Sequence, residues 1–411
     1  PIGKRPIFTP KLLVELNGDQ LTVSAPDAVM PLRRSRALTL KKIRFGVPAV
    51  SERHPIGQLQ FNVSGRLRDG VSMLSTSPWR AEIPPDLIAA LENRASGVLD
   101  GQLNVAIPLD GQSTAQRVVT GKVQIKDLRI ADVVGRHDVT GGTVDLSLAA
   151  KSLNANGEML IAGVATKLAW QYILDAPLES QPPVRVQASL DEGDRDKLGI
   201  KVNHILRGIV DVDISLIPRT GGGFGSKVRV DMTKAAIAID SLAWLKPKGR
   251  LAQLDFDVVP GKKHPLLLDN LRVVGDGIAI QGTAMLNEAY DLRAFELPLF
   301  SIDRVTRLNL RGKLQRNNVW QVTVRGQTFE GRSLFRSLFD TGRAARAPKV
   351  PRSKQMGVDL EGEITTVLGF WNSKLSNVRI SISKRQGRMQ KLQFEGRLAG
   401  NALLKLSLIH I

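Results

Sequence analysis

The 411-residue sequence contains no cysteine. Disulfides, thiolate metal sites and thiol catalysis are therefore excluded. Aromatic residues make up only 5% of the chain, and they are not interleaved with the basic residues as they are in proteins that stack on nucleic-acid bases. No stretch of about 18 residues is continuously apolar, so we expect no transmembrane helix within the sequence.

Residue sets that would indicate catalysis or metal binding are also scarce. The five histidines are scattered, without an HxH or HxxxH pair. Asp191, Asp194 and Asp196 lie in a segment similar to a calcium loop, but the spacing differs and Arg195 and Lys197 intervene, so we interpret the segment as a solvated turn. The glycines at 221–225 are not followed by the Lys-Ser/Thr pair of a phosphate loop. We predict no enzyme, no cofactor and no metal.

The chain does have a large surplus of positive charge. It carries 58 Lys and Arg against 39 Asp and Glu, a formal net charge of +19. Such a surplus favours an anionic neighbour, either nucleic acid or a phospholipid surface, although a solvated cationic exterior gives the same composition. Because stacking aromatics are missing, we favour nucleic acid least and predict no nucleic-acid partner.

Most of the chain alternates between apolar and polar residues, the pattern of strands with one apolar face. In the segment 227–259, Val228 and Val230 precede an Ala-rich crossing segment, and Leu254 and Phe256 follow it. Helical spacing is predicted only near 86–93 and 333–339. A sheet with one apolar face needs a second sheet, closure on itself, or an open rolled groove to cover that face.

If the fold is a groove, acyl chains would lie against its apolar residues. The strand positions predicted to line it are Val144, Leu146, Leu148, Val184, Val186, Val210, Val212, Ile214, Val228, Val230, Leu254, Phe256, Val258, Ile278 and Ile280. A register error of one residue would exchange the two faces of a strand. Strands also end repeatedly in a polar residue and glycine, as at 65, 208, 282, 312, 326, 362 and 396, which predicts a sheet that bends across its width.

Several segments resemble the large AsmA-like proteins of Gram-negative bacteria, over roughly residues 97–400. One is VDMTKAAIAIDSLAWLKPKG, and another is the hairpin VTGGTVDLSLAAKSLNANGEMLIAGVATKLAW. A third is VTVRGQTFEGRSLFRSLF, although Glu330 stands where the family more often has Asp. The positions that match the family's pattern are Asp191, Arg195, Gly199, Asp231, Ala235, Trp244, Lys246 and Gly249.

The resemblance implies a mainly β fold: a long, antiparallel, strongly twisted and curled sheet that forms an elongated β-groove, with a few short helices. We expect an N-terminal groove segment at 1–96, a central groove domain at 97–260, and a C-terminal segment at 261–411 with a basic loop at 342–354. Since the chain begins with Pro1, we expect it to be a fragment whose anchoring N-terminal helix precedes it.

The resemblance also implies a function. The expected protein is periplasmic and anchored in the inner membrane, and it carries phospholipid between the inner and outer membranes to support the outer-membrane barrier. Its partners would be phospholipid acyl chains, the two membrane surfaces and other envelope proteins. The alternative is a scaffold or assembly factor for outer-membrane components, with its interior filled by side chains.

Overall fold

The computed structural model describes residues 7–32, 36–75, 85–109, 118–134, 137–219, 224–239, 242, 244–259, 266–332, 356–369, 373–386 and 388–409. The fold is mainly β, with 71% of residues in strands and 8% in helices. Among these residues, twenty-two strands belong to one large, open sheet, and three short strands form a second sheet. The predicted fold class is therefore confirmed. The chain divides into two compact units, residues 1–188 with 215–224 and residues 189–214 with 225–411.

The first unit is a meander in which each strand pairs antiparallel with the next. Its strands are β1 (Leu13–Asn17), β2 (Gln20–Leu32), β3 (Arg36–Val47), β4 (Ile56–Arg66), β5 (Ala95–Pro108), β6 (Val118–Val134), β7 (His137–Ala149), β8 (Ser152–Ile161), β9 (Val164–Ile173) and β10 (Val184–Leu190). β1 and β2 form a hairpin at Asn17-Gly18, where Leu16 pairs with Leu21. Gly18 has a φ of 57°, which suits this tight turn.

Two helices cover part of the apolar face of this unit. They are α1 (Leu67–Ser75) and α2 (Pro85–Arg94). Leu67 and Val71 of α1 and Ile88 of α2 are buried in a cluster with Ile125 and Val144 of the sheet. The predicted helix at 86–93 is confirmed, whereas α1 was not predicted because Gly70 and two serines weaken its helical signal.

The chain then forms α3 (Glu192–Lys197), β11 (Leu206–Gly208), β12 (Val210–Pro218), β13 (Phe224–Asp231), β14 (Ala235–Ile239), β15 (Trp244–Lys246) and β16 (Ala252–Val259). All of these residues belong to the second unit except 215–224, which belong to the first. β13 and β16 pair antiparallel, with Val228 opposite Phe256 and Val230 opposite Leu254. The crossing segment between them contains two short strands, β14 and β15, which join β11 in the three-stranded sheet. The aspartate cluster at 191–196, predicted to be a turn, is the short helix α3 with its N-cap residue.

The large sheet continues through β17 (Leu267–Gly275), β18 (Ile278–Leu286), β19 (Leu292–Ile302), β20 (Thr306–Leu314), β21 (Val319–Glu330), β22 (Gly357–Leu368), β23 (Lys374–Arg385), β24 (Arg388–Arg397) and β25 (Leu403–Ile409). Neighbours pair antiparallel except β21 and β22, which run parallel from Val319 opposite Gly357 to Glu330 opposite Leu368. The long antiparallel sheet that we predicted thus contains one parallel pair. The chain between these strands is long enough to return to the same end of the sheet, as a parallel pair requires.

The predicted three-part division at 96/97 and 260/261 stays a prediction. The predicted helix at 333–339 and the basic loop at 342–354 lie outside the described residues, as does most of the glycine loop at 221–225.

Candidate apolar groove and the buried cations beside it

One row of apolar side chains crosses six neighbouring strands of the second unit. In register it runs Val230, Leu254, Val273, Ile280, Phe300 and Leu308. Residues directly opposite each other in an antiparallel pair lie on the same face of the sheet. The row is therefore one continuous apolar stripe, perpendicular to the strands.

The stripe is only partly buried along most of its length. Its first five members are neither buried nor fully exposed, whereas Leu308 is buried. A side chain packed under a second layer of protein is normally shut off from solvent. The face of β13 and β16–β19 therefore leaves apolar surface that a guest molecule can contact.

Of the fifteen predicted lining positions, twelve share this intermediate burial. They are Leu146, Leu148, Val184, Val186, Val212, Ile214, Val228, Val230, Leu254, Phe256, Val258 and Ile280. The other three, Val144, Val210 and Ile278, are buried. Val144 is covered because it belongs to the core cluster that includes residues of α1 and α2.

The first unit has a comparable apolar row. Val23, Phe45, Leu59, Val105 and Val119 lie opposite one another across β2 to β6. All of them except Val105 are partly exposed. In this unit, part of the apolar face is covered by α1 and α2, and another part is accessible.

Some members of the apolar face were missed by the sequence analysis. Phe300 continues the stripe, and Phe295 packs against Trp320 with ring centroids 5.7 Å apart. The register of β19 shifts between Leu297 and Phe300. This bulge breaks the period of two, so alternation alone places Phe300 on the wrong face.

In the last strands, the protein's own side chains fill the apolar face. Phe329, Val367, Leu375 and Val378 form a buried cluster with Phe394 and four other apolar residues. This part of the sheet has the packing of an ordinary core. The stripe therefore ends in the filled cluster, because Leu308 belongs to both and Phe300 packs against the cluster. The rest of the stripe, Val230, Leu254, Val273 and Ile280, lies outside the cluster.

Glycines on the apolar face let neighbouring strands bring large side chains close together. A Cβ built on Gly101 would lie 2.7 Å from both the Lys122 carbonyl oxygen and Val123 Cγ2. Any side chain at this position would push directly against the backbone of β6. Glycine is therefore required at position 101 because β5 and β6 approach each other closely there.

We expect Gly101→Ala to lower the free energy of unfolding by about 1–3 kcal/mol, because overpacking at this contact forces the two strands apart. Gly46→Ala is the matched control, since a Cβ there meets only the Leu21 carbonyl oxygen, at 4.0 Å. Urea denaturation of the two variants measures the difference. Equal stability would contradict the close-approach explanation.

The opposite face of the sheet carries cross-strand ion pairs. Arg229 contacts Asp255 at 2.8 Å and Arg385 contacts Asp359 at 2.6 Å. The hydrogen bond from Arg385 keeps the pKa of Asp359 below its usual value. These groups are substantially exposed, so each pair contributes little to stability.

A concavity of about 550 Å³ lies on this polar face, across β21 to β25. Its lining includes a row of alternating charge, Arg325, Glu363, Arg379, Glu395 and Lys405, in register across the five strands. Opposite charges lie directly across from each other, so the row has no strong preference for a ligand of one sign.

Two of the eight residues that match the AsmA-like pattern, Arg195 and Lys246, are buried cations. Arg195 is 1% exposed. Its Nη1 donates to the carbonyl oxygens of Leu190 and Gly208 at 3.1 and 2.8 Å, and its Nη2 donates to that of Leu206 at 3.0 Å. Its Nε donates to Asn203 Oδ1 at 2.7 Å. Backbone carbonyls thus provide most of the compensation for burying this charge.

Local structure places Arg195 at this position. Asp191 caps α3, since its Oδ1 accepts from the backbone N–H of Asp194 at 2.8 Å. Gly199 follows the helix with a φ of 75°, and the N–H of Ile200 reaches back to the Arg195 carbonyl at 2.8 Å. Both ends of this six-residue helix are therefore fixed.

Lys246 is the second buried cation, also 1% exposed. Its Nζ donates to the carbonyl oxygens of Met232 and Ala235 at 2.8 and 2.6 Å. Burial lowers the pKa of this ammonium, and the Asp231 carboxylate opposes that shift. Lys246 therefore ties β15 to the turn that leads into β14.

The remaining matching residues also have structural contacts. Asp231 Oδ1 accepts from the Thr233 N–H at 2.8 Å, and Gly249, with a φ of 86°, donates to the Thr233 carbonyl at 2.8 Å. Trp244 is buried, and its Nε1 donates to Asp303 Oδ1 at 3.1 Å. The set thus holds the three-stranded sheet in place.

Among the described residues, no group of three or more His, Asp or Glu is placed to hold a metal ion. Within the same part of the chain, no helix is long and apolar enough to cross a membrane. The fold defines a mainly β protein with a large open sheet and a partly accessible apolar face. No family model, curated protein or solved structure matches the chain.

Proposed function

We propose that this chain carries phospholipid by letting acyl chains lie against the apolar stripe while the head groups stay in water. The supporting observation is the row from Val230 to Phe300, which is apolar, continuous across five strands and only partly buried. Apolar surface that is accessible but sheltered binds hydrocarbon through the hydrophobic effect. The proposed process is passive and includes no catalytic step.

The proposed setting is the periplasm of a Gram-negative bacterium, with the whole protein anchored in the inner membrane and supplying phospholipid to the outer membrane. This part of the proposal rests on the resemblance to AsmA-like proteins. The net charge of +19 supports it, because a cationic exterior is attracted to anionic membrane surfaces.

A scaffold function is the second candidate. The observation that favours it is the buried cluster around Phe329, Val367 and Val378, where side chains of the protein fill the apolar face. If the whole face behaved like this cluster, the sheet would have no room for lipid. The two candidates differ in whether lipid contacts the stripe from Val230 to Phe300.

Photo-crosslinking tests the proposal directly. A photoreactive residue at Phe256, beside the stripe, should capture phospholipid when the protein is incubated with vesicles of phosphatidylethanolamine and phosphatidylglycerol. The neighbouring residue Asp257 is the matched control, because consecutive strand residues point to opposite faces. Capture mainly from Asp257, or equal capture from both, would reject the assignment of the face.

A further inference from the structure

The three-stranded sheet has one buried face and one exposed face. Trp244, Lys246 and Ile237 belong to the buried face. Leu245 lies between Trp244 and Lys246, so it points the opposite way, and it is 63% exposed. This exposed face is separate from the apolar stripe of the large sheet.

Apolar side chains on adjacent strands lie next to one another on this exposed face. Leu245 pairs with Ala238, and the Ala238 N–H donates to the Ile205 carbonyl oxygen at 2.9 Å. Ile205 is 37% exposed, and Ile209, just beyond β11, is also exposed. We call Ile205, Ala238 and Leu245 the aliphatic patch.

One exposed cation lies beside the aliphatic patch. Arg207 follows Ile205 by two residues, so it shares its face, and it pairs with Ala236 of β14. Lys248, which follows β15, is not on this face, because its Cε lies 3.0 Å from where a Cβ on Gly208 would be and Gly208 pairs with the buried Ala235. Arg207 is exposed, and among the described residues no carboxylate lies within salt-bridge distance of it.

The acidic side chains of this region have other contacts. Glu192 accepts from the Gly208 N–H, and Asp231 accepts from the Thr233 N–H. Asp211 pairs with Lys234 at 2.9 Å, and hydrogen bonds from Lys234 and Ser189 lower its pKa. Arg207 is therefore the charged residue of the patch face that has no such partner.

From this arrangement we infer that the aliphatic patch docks on the surface of a phospholipid bilayer, with Leu245 and Ile205 in the acyl boundary and Arg207 on anionic head groups. A few apolar side chains beside an exposed cation suit interfacial binding to an anionic bilayer. A stable protein interface needs about 800 Å² from each partner, far more than three side chains supply. The three-residue strands β11 and β15 also offer little edge for an added strand.

The inference does not depend on lipid carriage. Docking uses the exposed face of the small sheet, whereas carriage uses the stripe from Val230 to Phe300. If the parent chain does not bind vesicles but a photoreactive residue at Phe256 still captures phospholipid, docking is rejected and carriage is not. If the chain binds vesicles but no lipid is captured at Phe256, carriage is rejected and docking is not.

Vesicle flotation with the full chain tests the inference. We expect binding to vesicles containing phosphatidylglycerol, weaker binding to pure phosphatidylcholine, and weakening by salt. Leu245→Asp and Arg207→Glu should each reduce binding about tenfold, because one removes an inserted aliphatic group and the other reverses a surface charge. Met285→Asp is the matched control, since Met285 is 46% exposed and belongs to β18 of the large sheet.

Thermal unfolding should show that all three variants are folded, since the replaced side chains are exposed. Unchanged binding by Leu245→Asp, or equal loss in Met285→Asp, would overturn the inference. So would light scattering that finds a dimer dissociated by Leu245→Asp, because the patch would then belong to an interface between two copies of the chain.

Discussion

Replacing Arg195 by methionine should lower the free energy of unfolding by about 3–5 kcal/mol, the loss expected when buried polar groups lose their partner. Methionine fills similar space but donates no hydrogen bond. The carbonyl oxygens of Leu190, Leu206 and Gly208 would remain buried without their donor. Chemical denaturation followed by circular dichroism measures the effect.

Lys197→Met is the matched control for this experiment. Lys197 lies on the same helix and is about half exposed, where it pairs with Asp194 at 2.9 Å. An exposed pair of this kind is worth about 0–1 kcal/mol. Similar losses in the two variants would show that the carbonyl contacts of Arg195 are not what stabilises this region.

Replacing Phe256 by arginine should reduce the amount of co-purifying phospholipid about tenfold, equivalent to about 1.4 kcal/mol of binding free energy. The guanidinium would lie on the apolar face that acyl chains are proposed to contact, beside Val228. Because Phe256 is only partly buried, the charged end can reach water and the fold should persist. Native mass spectrometry of the bound lipid measures the loss.

Asp257→Arg is the control, since it introduces the same side chain on the opposite face of β16. Two results would contradict the proposal. Equal lipid in Phe256→Arg and the parent protein would show that lipid binds elsewhere. If Phe256→Arg is unfolded under conditions in which the parent protein is folded, Phe256 belongs to a packed core, as the scaffold candidate requires.

Alternation predicted much of the sheet because it is a local signal. It placed Val228, Val230, Leu254 and Phe256 on one face, and the pairing of β13 with β16 agrees. The β17–β18 hairpin, in which Gly275 pairs with Ile278 across Asp276 and Gly277, is likewise set by local turn residues. Each of these features depends on neighbours within a few residues, where sequence patterns are informative.

The missed features depend on contacts that are distant in sequence. The short helix α3 is fixed by carbonyls as far away as Gly208, and the segment around Ala235 forms strands because β11 pairs with it. The parallel pairing of β21 with β22 likewise has no local signal. Tertiary context overrides weak local preference at such places.

The site was predictable only in part for the same reason. Alternation indicates which residues share an apolar face, but burial depends on what covers that face. Val144 and Leu146 have the same pattern, yet Val144 belongs to a core cluster with residues of α1 and α2 while Leu146 is partly exposed. Accessibility is therefore a property of the folded chain that periodicity does not contain.

The parallel pair β21–β22 also has a consequence for how the second unit is made. Antiparallel neighbours such as β19 and β20 are joined by a tight turn, so they can pair as soon as both have been synthesised. β22 must wait until all residues from Gly331 to Met356 have been made before it can join β21. Until then β21 has an open edge, and closing this longer loop carries an entropy cost that the hairpins avoid. We therefore expect growth of the sheet during synthesis to pause after β21, and we expect the nascent chain to be most prone to misassociation at that stage.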